Sequence, residues 1–156
     1  MAIKKWLKHQ SRGSLIPLSF GFFLLAMSLS FVSINIASAY SVKKELTNLA
    51  ESAINKSAQS INPLAYYAQL NRFSSKKQVP IDCLQANIKF HSLIGAVQIS
   101  GKSIQVSSFD CQLYEISAQV SIVGDLPIQI PFIHSEELTK VTITTKVGAS
   151  SVYIPN

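Results

Sequence analysis

The side chains in this sequence that could do chemistry are few and widely spaced. His134 is followed by Ser135, Glu136 and Glu137, which places a base, a hydroxyl and two carboxylates side by side. No nucleophile turn and no glycine loop suited to an oxyanion accompanies them, so the cluster reads as a solvated loop between strands. His9 and His91 are too scattered to complete a metal group with it, and there is neither an HExxH helix nor a glycine-rich phosphate loop. Cys83 and Cys111 are 28 residues apart with no C-x-x-C pair beside either, which argues against redox and zinc chemistry. Asp82, Asp110 and Asp125 each stand at an apparent turn, where aspartate caps the backbone. Arg72, Lys76 and Lys77 could touch anionic lipid or a wall polymer, but read first as a solvated basic linker. No catalytic, cofactor-binding or metal site is expected.

Composition points elsewhere. The chain has 156 residues, 47% of them apolar and 14% charged, enough apolar surface for a core and too few charges for a disordered segment. The length suits one domain with an appendage. The net charge of +6 could suggest nucleic acid, but Lys4, Lys5, Lys8 and Arg12 supply four of those charges, leaving a net of +2 from Ser14 onward. A nucleic-acid protein spreads its basic residues over a folded face. Here they stand immediately before an apolar run, and no nucleic-acid partner is expected.

That run, Leu15 to Ile36, holds no ionisable side chain across 22 residues. At about 1.5 Å per residue it can cross a hydrocarbon core roughly 30 Å thick. Four cations precede it, while Lys43 and Lys44 beside Glu45 follow it. The bias keeps the N-terminus in the cytoplasm and puts everything after about residue 41 outside a cytoplasmic membrane, in a single pass. The lipid bilayer is therefore the first expected partner. A competing reading is a secretory signal peptide, because Ala37, Ser38 and Ala39 form an A-x-A site before Tyr40; the chain would then be a secreted small β-domain binding module released after Ala39. The apolar run is longer than the 7 to 15 residues usual for a signal-peptide core, which favours the anchor. Outside the membrane, disulfides persist, so Cys83 and Cys111 are expected to be joined, two unpaired buried thiols being the alternative.

Beyond the apolar run, Val42, Leu46, Leu49, Ala50, Ala53 and Ile54 recur with a 3.6-residue period, giving a narrow stripe of mostly small side chains. With no Gly or Pro between Phe22 and Asn62, the membrane helix should continue into this segment as one rod stopped at Pro63. Residues 63–82 read as a linker in which Leu64 to Leu70 could form a short helix. The period then changes to two. Ile104 and Val106, the series Ile116, Ala118, Val120 and Ile122, the series Leu126, Ile128, Ile130 and Phe132, and Val141, Ile143 and Val147 each alternate with polar residues or proline. Ile88 to His91 and Gly95 to Ile99 are weaker strand candidates. Pro127 and Pro131 place Leu126 to Phe132 on an edge. Such a sheet needs a cover, and Leu46, Leu49, Ala50, Ala53 and Ile54 on the rod offer one. The expected organisation is a basic cytoplasmic leader (1–13), a transmembrane helix (14–40), an extracytoplasmic amphipathic helix (41–62), a linker (63–82) and a small antiparallel β domain (83–156). The fold class is α+β.

The order of elements from Arg12 to about residue 58 resembles the N-terminal region of TadE/TadG-like proteins of Flp-type, or tight-adherence, pilus systems. The residues that carry it are Arg12-Gly13-Ser14, the apolar helix, the basic pair Lys43 and Lys44, then Leu46, Glu51 and the alanines around them. The resemblance implies a non-enzymatic minor pilin, pseudopilin or accessory subunit of a pilus or related secretion apparatus. Its expected partners are other subunits and a prepilin peptidase cutting between Gly13 and Ser14. Two residues depart from the pattern. Leu18 stands where cleaved members usually carry Glu, and Asn35 where many have Asp near the outer end of the helix. The missing Glu would leave a buried amino terminus unneutralised. Both departures point to an accessory or tip subunit over the major, polymerising pilin.

Overall fold

The computed structural model describes residues 15–70, 78–128 and 140–151. Its first element, α1 (Leu15–Ala58), is a single unbroken helix of 44 residues, about 66 Å long. It ends short of Pro63, because the backbone just beyond it is claimed by another segment. Ile61 forms an antiparallel bridge with Ile81, the Asn62 amide donates to the Pro80 carbonyl at 3.0 Å, and the Asp82 amide donates to the Ser60 carbonyl at 2.8 Å. Pro63 stops nothing. It opens α2 (Pro63–Leu70), where a first-turn position has no amide to lose, and the Asn62 carboxamide oxygen caps that turn by accepting from the Ala65 amide at 3.1 Å. The expected linker 63–82 therefore contains a helix.

The next element corrects the expectation of a purely β unit from residue 83. Cys83–Gly95 is a helix, α3, and it contains Ile88 to His91, whose local pattern suggests a strand. Asp82 starts it, one carboxylate oxygen accepting from the Leu84 and Gln85 amides at 3.1 Å each. Ala86, Phe90 and Ile94, spaced by four, form its buried stripe. A small hairpin follows, β1 (Gln98–Ile99) and β2 (Lys102–Ser103). Its turn places Ser100 at φ 51° and Gly101 at φ 76°, the left-handed pair that a two-residue hairpin turn needs.

Three strands make the main sheet: β3 (Gln105–Cys111), β4 (Glu115–Asp125) and β5 (Lys140–Ser150), antiparallel in the order β3-β4-β5. β4 is central, with Ile122 opposite Ile143 and Ala118 opposite both Phe109 and Val147. A bulge at Ser107 shifts the β3 register. One face of the sheet is apolar, built from Ile116, Ala118, Val120, Ile122, Ile143 and Val147, all buried. α1 covers it over β4 and β5, and α3 covers it over β3, where the Phe90 and Phe109 rings lie 5.4 Å apart. The other face carries Ser117, Gln119, Ser121, Thr142 and Thr144, so the sheet has one dry and one wet side. The Cys83–Cys111 disulfide joins the first residue of α3 to the last of β3, with the Cα atoms 5.7 Å apart. The architecture is α+β, a long N-terminal helix laid by its outer half on a small antiparallel sheet.

The expected edge strand Leu126 to Phe132 is not found in its described part. β4 ends at Asp125, opposite Lys140 of β5, and Leu126–Ile128 carry on from it as a turn outside any strand. Residues 129–132 lie outside the described residues.

Candidate functional site

The residues with the clearest functional bearing lie along α1, whose two halves meet different surroundings. Every residue from Leu15 to Ile34 is exposed, including Leu15 at 77%, Phe22 at 73% and Phe23 at 60%. These 20 residues span about 30 Å, the thickness of a bilayer's hydrocarbon core, and the helix is long and apolar enough to cross one. Three of the four serines within this half are satisfied by their own helix. The Ser28, Ser30 and Ser33 hydroxyls donate to the carbonyls of Leu24, Ala26 and Leu29 at 2.6, 2.9 and 2.8 Å. No orphaned hydroxyl proton would enter an apolar medium with them.

The outer half is held in the domain. Leu46, Ala50, Ala53 and Ile54 are buried and Leu49 is half-buried, so the stripe expected to pack on the sheet does so. The side chains at residues 50, 53 and 57 are small and buried, and the Ser57 hydroxyl is satisfied by the Ala53 carbonyl at 2.8 Å. Lys43, Lys44, Glu45, Glu51 and Lys56 stay on the exposed side.

Asn35 sits at the boundary between the halves. Its carboxamide nitrogen donates to the Ile128 carbonyl at 3.1 Å, and its oxygen accepts from the Ile128 amide at 3.0 Å. The side chain thus replaces the strand partner that Ile128 lacks and fixes the exit from β4 to the helix. Sequence reading missed this role. The available signal was a lone carboxamide in the last turn of an otherwise apolar run.

Of the two possible processing sites, Ala37 and Ala39 lie inside the unbroken helix, Ala37 exposed and Ala39 partly buried against the core. Gly13 and Ser14 lie outside the described residues, as do His9, Arg72, Lys76, Lys77, His134, Ser135, Glu136 and Glu137. His91 is exposed on α3, with its ring 6.4 Å from Phe109. Asp82 caps α3 as a turn residue should, but Asp110 lies within β3 and Asp125 ends β4 in an ion pair with Lys102. A shallow depression of about 320 Å³ on the wet face is lined by Asp110, Gln112, Glu115, Ser117 and Ser150, among others, with no histidine, cysteine or cation among the described residues of its lining. Among the described residues no group of three or more His, Cys, Asp or Glu could hold a metal ion.

No protein-family model matches this chain, and no curated protein or solved structure matches it.

Proposed function

We propose that this protein is a non-enzymatic, single-span membrane subunit, a minor pilin, pseudopilin or accessory component of a Flp/Tad-type pilus or related secretion apparatus. One observation carries the reading: a single helix has 20 exposed residues in one half, none ionisable and all but four serines non-polar, and the packing stripe of a folded domain in the other. A rod built this way transmits position and force between a membrane and a domain, which suits an assembly component and serves no catalytic purpose. The charge bias across the apolar run keeps the N-terminus in the cytoplasm and the α+β domain outside. The resemblance over residues 12–58 adds the pilus context. The exposed half of α1, with Gly21 and Ser28 allowing close approach, is where neighbouring subunits' helices would pack.

Release after Ala39 fits the packing poorly. It would remove Asn35, which holds Ile128, and Ala39, which packs on the core. The test is the intact mass and N-terminal sequence of the protein from membrane and medium fractions. A membrane-bound chain beginning at Ser14 supports a processed, pilin-like subunit despite Leu18, and one beginning at Met1 supports a permanently anchored accessory protein. A soluble chain beginning at Tyr40 would overturn the membrane-rod reading and favour a secreted module. Co-purification of crosslinked pilus subunits through the exposed half of α1 tests the pilus assignment separately.

A further inference from the structure

The Asn35 contact fixes more than a loop: it sets the height of the domain along the rod. If Leu15–Ile34 fills the hydrocarbon core, the outer boundary of that core falls at residue 35, and Ile128 is bonded to the helix at that level. The residues beside Ile128 suit such a place. Pro127 is exposed, Leu126 and Ile128 are half-buried, and the sequence from Leu126 to Ile133 holds no ionisable side chain. On the helix, Ile36 is 65% exposed and Tyr40 69% exposed, the tyrosine about 7 Å further out, where aromatic side chains collect at membrane interfaces. Lys43 and Lys44 follow, exposed, about 12 Å beyond residue 35, from where their long side chains can reach back to the headgroups. At the same end of the domain, Lys102 is paired with Asp125, so the carboxylate closest in sequence to the loop is matched by a cation.

We propose that the turn Leu126–Ile128 rests in the outer interface of the bilayer, a second membrane contact that seats the domain directly on the lipid. The inference rests on the membrane reading of α1 and adds a surface to it, with a lipid headgroup layer as its partner. Asn35 makes this contact possible by satisfying both backbone polar groups of Ile128, which would otherwise have to keep water at the edge of an apolar phase. The domain is then fixed in height and tilt relative to the membrane.

The test uses the full chain in phosphatidylglycerol–phosphatidylethanolamine vesicles, with the native indole removed by Trp6→Phe. In that background Pro127→Trp reports on the turn, Leu25→Trp on the span, and Ser121→Trp on the sheet's wet face as the reference. Near-UV circular dichroism establishes that each variant keeps its packed core. The indole introduced at position 127 should emit to the blue of the one at 121 and lose about half its intensity to lipids brominated near the headgroups, and less to lipids brominated deep in the chains. Red emission with no quenching at 127, alongside strong deep quenching at 25, would leave the span in place and overturn the seat. No quenching at either position would overturn both.

Discussion

The hydroxyls of Thr47 on α1 and Thr145 on β5 are 3.1 Å apart, and the direction of the bond between them is decided by a third group. Thr47 has one hydroxyl proton and places it on the Lys43 carbonyl at 2.9 Å. It can therefore only accept from Thr145, and this polar contact ties helix to sheet. Thr145→Val removes the donor while keeping the shape. Its expected cost is about 1 kcal/mol. Thr47→Val should cost a similar amount, and the double variant less than both together, because the two changes remove the same bond. Thermal unfolding of the full chain in detergent micelles, followed by near-UV circular dichroism, measures all three.

The small side chains of the seam bear a larger load. Ala53 is 5% exposed in the core that α1 shares with the sheet and α3, so Ala53→Lys would force an ammonium into a dry contact or push the packed elements apart. It should lower stability by about 3 kcal/mol or more, as should Ile54→Ala, where about 2 to 5 kcal/mol follows from the vacated volume. Ser52→Lys, one position away on the exposed side, should change little. If Ala53→Lys kept the parent's melting temperature, the helix would not be seated on the sheet as described.

The disulfide closes a loop that contains α3 and the β1–β2 hairpin. In the chain-entropy treatment, a closure of this length is worth roughly 3 to 4 kcal/mol. A paired Cys83→Ser and Cys111→Ser variant should therefore unfold at a clearly lower denaturant concentration. Hydrogen exchange should speed up most in α3, whose first residue the disulfide ties to the last residue of β3. The exposed half of α1, outside the domain, should exchange as before.

Much of this fold could be read from local pattern, and what could not has identifiable reasons. The stripe Leu46, Ala50, Ala53 and Ile54 and the alternation Ile116 to Ile122 are long and regular, and burial on one side leaves each a single solution. Over four residues, Ile88 to His91 reads as a strand. The spacing of Ala86, Phe90 and Ile94 behind the Asp82 cap appears only over thirteen. Leu126 to Ile128 alternate as a strand would, yet strand formation depends on a neighbour, which no local pattern reveals. The partner of Ile128 is a side chain 93 residues earlier in the sequence, beyond the reach of any periodicity.

That partner is also where one atom decides the outcome. The Asn35 carboxamide can donate and accept at once, matching the Ile128 carbonyl and amide. Asn35→Asp keeps the size and the accepting oxygen but replaces the donor with a second acceptor, setting a carboxylate oxygen against the Ile128 carbonyl in a partly buried place. At neutral pH this variant should be less stable than the parent by about 1 to 3 kcal/mol. Protonation returns a donor, so the introduced carboxyl binds its proton more tightly folded than unfolded, and the deficit should shrink as pH falls from about 7 towards about 4. Asn35→Leu, with no group to titrate, should show a comparable deficit that stays constant relative to the parent across the same range. Melting temperatures of the three proteins against pH separate the cases: a constant deficit for Asn35→Asp would mean that the side chain does not face the Ile128 carbonyl.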